Sequence, residues 1–248
     1  MPATKEDIIM QLRKDILLLQ GFKPTSVSVI DVGLGPVTHA FPNAVFPTGA
    51  IHEFVSTGAE NAAAAGGFVA GLTGALMGSG GACVWISSGR KVFPPALKAF
   101  GIEPDRVIFL DLKREKEVFW AMEEALKCEG LAAVIGETPE IGLTVSRRLQ
   151  LAVEQSQVTG FLLHHNPRHL NAIAAVARWK ITPLASTLSE GMPGIGFPRW
   201  NVELERVRNG QPGTWQVEWS AGRFHPVVPE LLALPQLEGS QEQRRKTG

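Results

Sequence analysis

The sequence has no excess of either charge and contains little cysteine. Its 248 residues include 24 Lys and Arg and 24 Asp and Glu, so the formal net charge is zero. Proteins whose main task is to bind nucleic-acid phosphates usually carry a basic excess, so this balance argues against that class while leaving room for a local basic patch. Cys83 and Cys128 belong to no metal-ligand spacing. We interpret them as reduced structural thiols of a cytosolic protein.

A membrane-spanning segment is also lacking, although residues 61–89 carry no charge. A spanning helix needs about 20 continuous apolar residues, and the glycine-rich cluster at 78–81 interrupts this run. We therefore predict a buried helix followed by a strand. The first residues, MPATKEDIIMQL, are charged and lack the apolar core of a signal peptide, so we expect a cytoplasmic protein.

A third missing feature is a lysine where a nucleotide-binding protein needs one. Ile51–Val55 is a short apolar strand, Ser56–Asn61 is a loop of turn formers, and an alanine-rich helix follows from Ala62. In a P-loop NTPase such a loop holds phosphates at the helix N-terminus, with a Lys on the outer phosphates and a Ser or Thr on the metal. No lysine occurs between Lys23 and Lys91.

We interpret this stretch as a nucleotide-binding architecture that has lost its nucleotide, so no cofactor is expected. The helix N-terminus could still hold an anion weakly through its dipole. The residues of this vestigial phosphate loop are Ser56, Thr57, Gly58, Ala59, Glu60, Asn61, Ala62 and Ala63.

Apolar strands alternate with amphipathic helices along the middle of the chain. Strands that are apolar on both faces and are separated by such helices predict an α/β protein with a mainly parallel sheet, covered by helices on both faces. After the first strand, the predicted strands are Ala82–Ser87, Arg106–Asp111, Leu131–Ile135 and Thr159–Leu163. After the alanine-rich helix, the predicted helices are Pro94–Phe100, Lys116–Lys127 and Leu143–Gln155.

The C-terminal third has a different pattern. Ala175–Ile181, Trp200–Arg208 and Thr214–Trp219 alternate in polarity as half-exposed strands do, and Asn209-Gly210 favours an antiparallel hairpin. We predict antiparallel strands at this end of the sheet. The piece between the first two strands, Ala185–Pro198, is interpreted as a linker or mobile loop.

The expected organisation is an N-terminal helix in residues 1–22, a linker in 23–47, a core domain in 48–225 and a flexible tail in 226–248. Thr4–Gln20 is amphipathic, with its apolar residues on one face. Such a helix packs on its own core or docks on a neighbouring subunit or partner. Both alternatives stay open.

Other candidate sites have little support in the sequence. His164, His165 and His169 have no acidic or thiol partner nearby in sequence, so we predict exposed histidines at a strand end and no metal. Three basic pairs could contact DNA or a partner, although a solvated surface explains each of them as well. These candidates are Arg147, Arg148, Arg178, Lys180, Arg206 and Arg208.

The order of strand, loop and helix followed by Ala82–Asp111 resembles the core ATPase domain of the RecA recombinases. The chain is more closely similar to the ImuA family, the RecA-like proteins of the bacterial SOS mutagenesis cassette. The motifs that carry this resemblance are Phe46–Phe54, Phe93–Arg106, Glu123–Glu137, Ser146–Leu163 and Pro198–Trp219.

The resemblance places the ATPase positions on residues without the required chemistry. The Walker lysine position falls on Ala62, the metal-binding hydroxyl on Ala63 and the catalytic glutamate on Gly89. The Walker B aspartate falls at Glu137-Thr138, where we expect Glu137 to be a solvated charge at a strand end. Because the phosphate-binding charge, the metal ligand and the catalytic base are all missing, the resemblance implies a protein that is not an ATPase.

What the family resemblance implies is a non-catalytic accessory protein in SOS-induced translesion DNA synthesis. The implied partners are an ImuB-type homologue of the Y-family polymerases and a DnaE-type error-prone polymerase. A homo-oligomer is compatible with it, and DNA contact would be weak or indirect. Two alternatives are an active RecA-like DNA-dependent ATPase and a SulA-like regulator of cell division.

Overall fold

One sheet of nine strands forms the centre of the computed structural model, which describes residues 30–186, 194 and 196–227. The strands, in chain order, are β1 (Ile51–Ser56), β2 (Ala82–Ser87), β3 (Val107–Asp111), β4 (Leu131–Thr138), β5 (Thr159–His165), β6 (Ala177–Leu184), β7 (Arg199–Val207), β8 (Gly213–Ser220) and β9 (Arg223–Pro226). Their order across the sheet is β3-β2-β4-β5-β1-β6-β7-β8-β9. The predicted N-terminal helix, nearly all of the predicted tail and part of the predicted linker at 185–198 lie outside the described residues.

The sheet is parallel from β3 to β6 and antiparallel from β6 to β9. The prediction of a mainly parallel sheet with antiparallel strands at the C-terminal end is therefore confirmed. The predicted hairpin joins β7 and β8, and its turn contains Asn209 in the left-handed region. The short edge strand β9 was not predicted from the sequence.

Helices cover both faces of the sheet, as predicted. The α-helices are α1 (Gly58–Met77), α2 (Glu115–Leu126) and α3 (Leu143–Ser156), and the short 3₁₀ helices are Gly35–Ala40, Pro42–Ala44, Pro94–Phe100 and Pro104–Arg106. α1 and the first 3₁₀ helix pack on one face, around a core that contains Phe54, Phe68 and Trp179. α2 and α3 pack on the other face, around Ile51, Met122 and Leu149.

α1 begins earlier than the sequence predicts. Ser56–Asn61 is predicted as a loop, but Ser56 ends β1, Thr57 is the extended N-cap and the helix starts at Gly58. The φ of Gly58 is +81°, a value that glycine adopts without the strain of a side chain. The chain can therefore turn from strand to helix within two residues. The alanines that follow have high helix propensity, which favours continuation of the helix. The connection is shorter than the predicted loop.

Small residues bring α1 close to its neighbours. A Cβ atom added to Gly74 would lie 2.1 Å from the carbonyl oxygen of Phe100, and one added to Gly71 would lie 2.7 Å from the Phe224 ring. These two glycines therefore allow α1 to pack closely inside the core. Among the described residues, no helix is long and apolar enough to cross a membrane.

Candidate functional site at the carboxyl edge of the sheet

The carboxyl ends of β1, β4 and β5 meet at one edge of the sheet. In open α/β sheets, ligands bind outside this edge. Ser56 ends β1, Thr138 ends β4 and His165 ends β5, and the three strands are hydrogen-bonded side by side. The segment interpreted as a vestigial phosphate loop and the expected Walker B position therefore lie at the same edge of the sheet, and their contacts decide what this edge can bind.

The start of α1 has hydrogen-bond partners from the protein itself. The backbone N–H of Gly58 donates to Asn166 Oδ1 at 2.8 Å, and the Asn61 side-chain amide donates to the carbonyl of Thr57, also at 2.8 Å. The first turn carries Glu60, and no Lys or Arg occurs within residues 56–63. A carboxylate at this position repels an anion, and one of the N–H groups that would bind the anion is already occupied.

Glu137 is buried, so the expectation of a solvated strand-end charge is wrong. Trp85 Nε1 donates to Glu137 Oε1 at 2.7 Å, and the carboxyl group is almost inaccessible. Burial raises the pKa of Glu137, which the Trp85 hydrogen bond and the charge of Lys91 only partly oppose. The physical reason is that β4 continues to Thr138, three residues beyond the prediction, which places Glu137 inside the sheet between β2 and β5.

His165 connects Glu137 to Ser56. Ser56 Oγ lies 2.8 Å from His165 Nδ1, and His165 Nε2 lies 3.8 Å from Glu137 Oε2. Burial lowers the pKa of His165 to about 4, with a further contribution from Lys91, so the ring is neutral at pH 7. Ser56 is itself buried and also donates to the carbonyl of His164. A substrate therefore cannot reach its hydroxyl, and this row of side chains stabilises the sheet rather than supplying a nucleophile.

A second polar cluster lies on the opposite face of the same strands. Arg178 Nε donates to Glu53 Oε2 at 2.6 Å, and His164 Nε2 lies 3.7 Å from Glu53 Oε1. Thr138 Oγ1 lies 3.2 Å from His164 Nδ1. Burial lowers the pKa of His164, although the Glu53 carboxylate acts in the opposite direction. The prediction of exposed histidines is thus wrong for His164 and His165, which the longer β5 carries into the sheet, and correct for His169.

These polar groups do not form a metal site. In the described part of the chain, no group of three or more His, Cys, Asp or Glu side chains could hold a metal ion. The carboxylates instead have indole or guanidinium partners within the sheet. The sequence carries no signal for these pairs, because their members are 52 and 125 residues apart.

Comparison with known proteins identifies the family. No family model matches the chain. Two curated relatives, both named Protein ImuA, come from Caulobacter vibrioides strains NA1000 / CB15N and ATCC 19089 / CIP 103742 / CB 15. Each is 36% identical over 203 residues, which cover 77% of this chain and 83% of the relative. This chain belongs to the ImuA family.

The six basic candidates of this ImuA-family protein have different roles. Arg178 and Arg206 are cross-strand neighbours, and both hold the segment between β5 and β6: Arg178 Nη2 donates to the carbonyl of Asn171 at 2.7 Å, and Arg206 Nη2 to that of Ile173 at 3.1 Å. Lys180 pairs with Glu203 at 3.0 Å on the sheet surface. These three candidates therefore have partners within the protein.

The remaining candidates lie on α3 and at the end of β7. Arg148 pairs with Glu123 of α2 at 2.5 Å. Arg147 and Arg208 are exposed, and neither lies within ion-pair distance of a carboxylate in the described ranges. The structure thus does not gather the six residues into one basic surface, and those without an internal partner lie on separate elements.

The aromatic side chains of the antiparallel strands face the core. Trp200 and Trp219 are buried, and Trp219 Nε1 donates to the carbonyl of Ala99 at 2.8 Å. Trp215 packs against the same core. The other face of β7 and β8 carries polar side chains, including the Arg199–Glu218 pair. Single-stranded nucleic acids are commonly bound by stacking of bases on exposed aromatic rings, which this face of the ImuA-family protein does not provide within the described strands.

Proposed function

We propose that this protein is a non-catalytic RecA-like accessory protein of SOS-induced error-prone translesion DNA synthesis. It acts through protein contacts with an ImuB-type homologue of the Y-family polymerases and with a DnaE-type polymerase. Membership of the ImuA family supports a role in the SOS mutagenesis cassette. The mixed α/β sheet is consistent with a RecA-like core.

The observation that carries the non-catalytic part of the proposal is the chemistry of the carboxyl edge. Ala62 and Ala63 stand where a phosphate-binding lysine and a metal-binding hydroxyl are needed. Glu137, at the expected Walker B position, is buried and accepts a hydrogen bond from Trp85. Phosphoryl transfer depends on positioned cations and a water-activating group. Residues 56–63 supply no cation to this edge, and the Glu137 carboxyl group already accepts from the Trp85 indole.

Nucleotide binding is the first test. A ligand present at 100 times its dissociation constant stabilises a protein by about 2.7 kcal/mol, which a thermal melt detects readily. We expect no shift of the melting temperature with millimolar Mg-ATP and no hydrolysis by the purified protein. A reproducible shift, or turnover that co-purifies with the chain through several columns, refutes the non-catalytic proposal and favours the ATPase alternative.

The cellular role is tested separately. Deletion of the gene is expected to lower the frequency of DNA-damage-induced mutations, and the wild-type chain is expected to restore it. Direct binding of the purified ImuB-type homologue is measured by sedimentation or by light scattering of the mixture. Unchanged mutation frequency in the deletion strain, together with no binding of that homologue, contradicts the proposed role.

A further inference from the structure

The strand β3 ends the sheet on one side, and its outer side, which faces away from β2, is unprotected. Among the described strands β3 pairs only with β2, in a continuous register from Val107 to Asp111. Proteins commonly protect an edge strand with proline, lysine or a bulge, because its free backbone groups can bind another strand. β3 has none of these, and its only charged residue, Asp111, pairs with Arg90.

The strand at the other end of the sheet is protected. β9 has only four residues, begins with Arg223 and ends with Pro226, whose nitrogen carries no hydrogen. The chain around Gly33 also lies against its start, since a Cβ atom added to Gly33 would lie 3.6 Å from Arg223 Cβ. Of the two described edge strands, β3 is therefore the one that is open to pairing.

The backbone groups of β3 point outward at alternate residues. The N–H of Leu112 donates to the carbonyl of Ser87 at the end of β2. Since backbone groups of alternate residues point to the same side of a strand, Leu110 and Ile108 also direct theirs toward β2. The N–H and C=O groups of Val107, Phe109 and Asp111 therefore point away from the sheet. Only another strand presents donors and acceptors at this spacing.

Apolar side chains accompany this row of backbone groups. Ile108 is 51% exposed, and Leu110, two residues further along, lies on the same face and packs against the core under α2. Phe109 lies on the opposite face, where the Arg90 guanidinium stacks on its ring at 4.6 Å. A strand that pairs with β3 would cover the exposed surface of Ile108.

β3 is complementary to a second copy of itself in the antiparallel direction. With Phe109 placed opposite Phe109 of the second copy, Val107 lies opposite Asp111, and every outward N–H meets an outward C=O. In the same register each Ile108 lies opposite Leu110 of the second copy, and such apolar cross-strand pairs stabilise sheets. This register pairs all five residues of the strand.

The charges at the two ends of β3 favour the same register. Asp105 lies two residues before the strand and Lys113 two residues after it, so Phe109 is midway between them. Both side chains are exposed, and neither is in an ion pair within the described part of the chain. In the antiparallel arrangement each Asp105 meets Lys113 of the second copy. A shift of the register by two residues toward the start of the strand would instead bring Asp105 beside Asp111.

The other charges near these ends have partners or cancel. Arg106 donates to the carbonyls of Met77 and Gly81, which directs its guanidinium toward the start of β2 and away from the outer side of β3. Glu115 and Lys116 are adjacent and of opposite sign. The remaining neighbours form the pairs Lys98–Glu103 and Arg114–Glu117.

We propose that two copies of this chain associate through antiparallel pairing of their β3 strands about a twofold axis. The two sheets then form one continuous sheet, which closes as a dimer, the commonest symmetry of soluble oligomers. This inference goes beyond the proposed function and does not depend on it. The matched register, the Ile108–Leu110 contacts and the Asp105–Lys113 pairs select a second copy over an unrelated strand.

Sedimentation of the full chain over a range of concentrations tests the association. The wild type is expected to form a species of about twice the 26.8 kDa of one chain. I108K is expected to abolish the dimer, because an edge lysine opposes strand pairing. L151K is the matched control, since Leu151 is 61% exposed on α3, and it should dimerise like the wild type. Both variants should melt like the wild type, because the replaced side chains are exposed.

A charge swap tests the register and the identity of the occupant. D105K and K113D each place like charges together, so each should weaken dimerisation by about 2- to 30-fold through the loss of two exposed ion pairs. The double variant D105K/K113D restores opposite charges across the twofold axis and should dimerise nearly as well as the wild type. Only self-pairing in the antiparallel direction predicts this rescue. The affinity of the wild type should also fall as the salt concentration rises.

Each outcome decides the inference. Loss of the dimer in I108K, together with rescue in D105K/K113D, supports it. It is overturned if the wild type is a monomer at every concentration, if I108K dimerises like L151K, or if the double variant is as weak as the single ones. If the wild type is monomeric and I108K loses binding to the purified ImuB-type homologue, a strand of that partner covers β3. That result overturns the self-pairing while leaving the proposed function intact.

Discussion

Replacement of Arg178 tests whether a predicted contact residue has a structural role. Its guanidinium makes two hydrogen bonds to Glu53, at 2.6 and 3.3 Å, and a third to the carbonyl of Asn171 at 2.7 Å. The Glu53 side chain is only 3% exposed. R178A therefore leaves a buried carboxylate without its counterion, and removal of one partner of a buried pair costs about 3–5 kcal/mol.

The matched control lies two residues further along the same strand. Lys180 pairs with Glu203, and both side chains are well exposed, at 44% and 38%. Exposed pairs contribute about 0.2–1 kcal/mol, so K180A is expected to change the free energy of unfolding by no more than this. The double variant E53Q/R178A should be more stable than R178A, because the uncompensated buried charge is gone.

Urea denaturation followed by circular dichroism gives the free energies of unfolding by linear extrapolation. The expected order of stability is wild type, then K180A, then E53Q/R178A, with R178A the least stable. If R178A unfolds within about 1 kcal/mol of K180A, the buried-pair argument is wrong, and Arg178 becomes available again as a surface contact for DNA or a partner.

Three further predictions concern packing, pH and DNA. G66A should raise the stability of α1 by about 1 kcal/mol, because alanine has a higher helix propensity than glycine. G74A should lower stability, because its Cβ would meet the Phe100 carbonyl and overpacking costs about 1–3 kcal/mol. Equal unfolding midpoints for the two variants would contradict this. Burial lowers the pKa of His52 and His165 to about 4, so the unfolded state binds more protons than the folded state between about pH 4 and 6.5. The free energy of unfolding should therefore rise with pH in this window, by about 3 kcal/mol at most for each ring. An H165Q variant whose stability changes with pH as steeply as that of the wild type would refute the assignment. Single-stranded DNA should bind weakly and lose affinity steeply between 50 and 200 mM salt, as expected for phosphate contacts; tight binding at 200 mM salt in a filter or anisotropy assay would count against the charge argument.

The central parallel strands of the sheet were predictable because they are buried on both faces. A continuous apolar run such as Ala82–Ser87 has one plausible environment, the centre of a parallel sheet, and β2 has these same bounds. The buried sides of α2 and α3 follow from helical spacing in the same way: Met122 and Leu149 both contact the core. The local sequence pattern was sufficient to predict these strands and helices, because burial of their apolar side chains determines where they form.

The candidate site was less predictable because its contacts are not local. Glu137 and His164 are polar residues at the ends of apolar runs, so the sequence places them in water. In the structure the indole of Trp85 and the carboxylate of Glu53 lie beside them, on strands that are adjacent in the sheet but distant in the chain. The hydrophobic periodicity of the sequence does not indicate a contact between side chains so far apart in the chain. The early start of α1 has a different cause, since it depends on the positive φ of Gly58, which glycine allows but does not require.

The contacts at the carboxyl edge connect the fold to the proposed role. A nucleotide-binding edge needs donors and charges that remain unpaired until a ligand arrives, and such unpaired buried groups are costly to maintain. Here the N–H of Gly58 already donates to Asn166 Oδ1, and the Glu137 carboxyl group already accepts from Trp85 Nε1. The polar side chains of this edge therefore bind one another and stabilise the sheet. These contacts are why we propose a role through protein contacts and not through nucleotide chemistry.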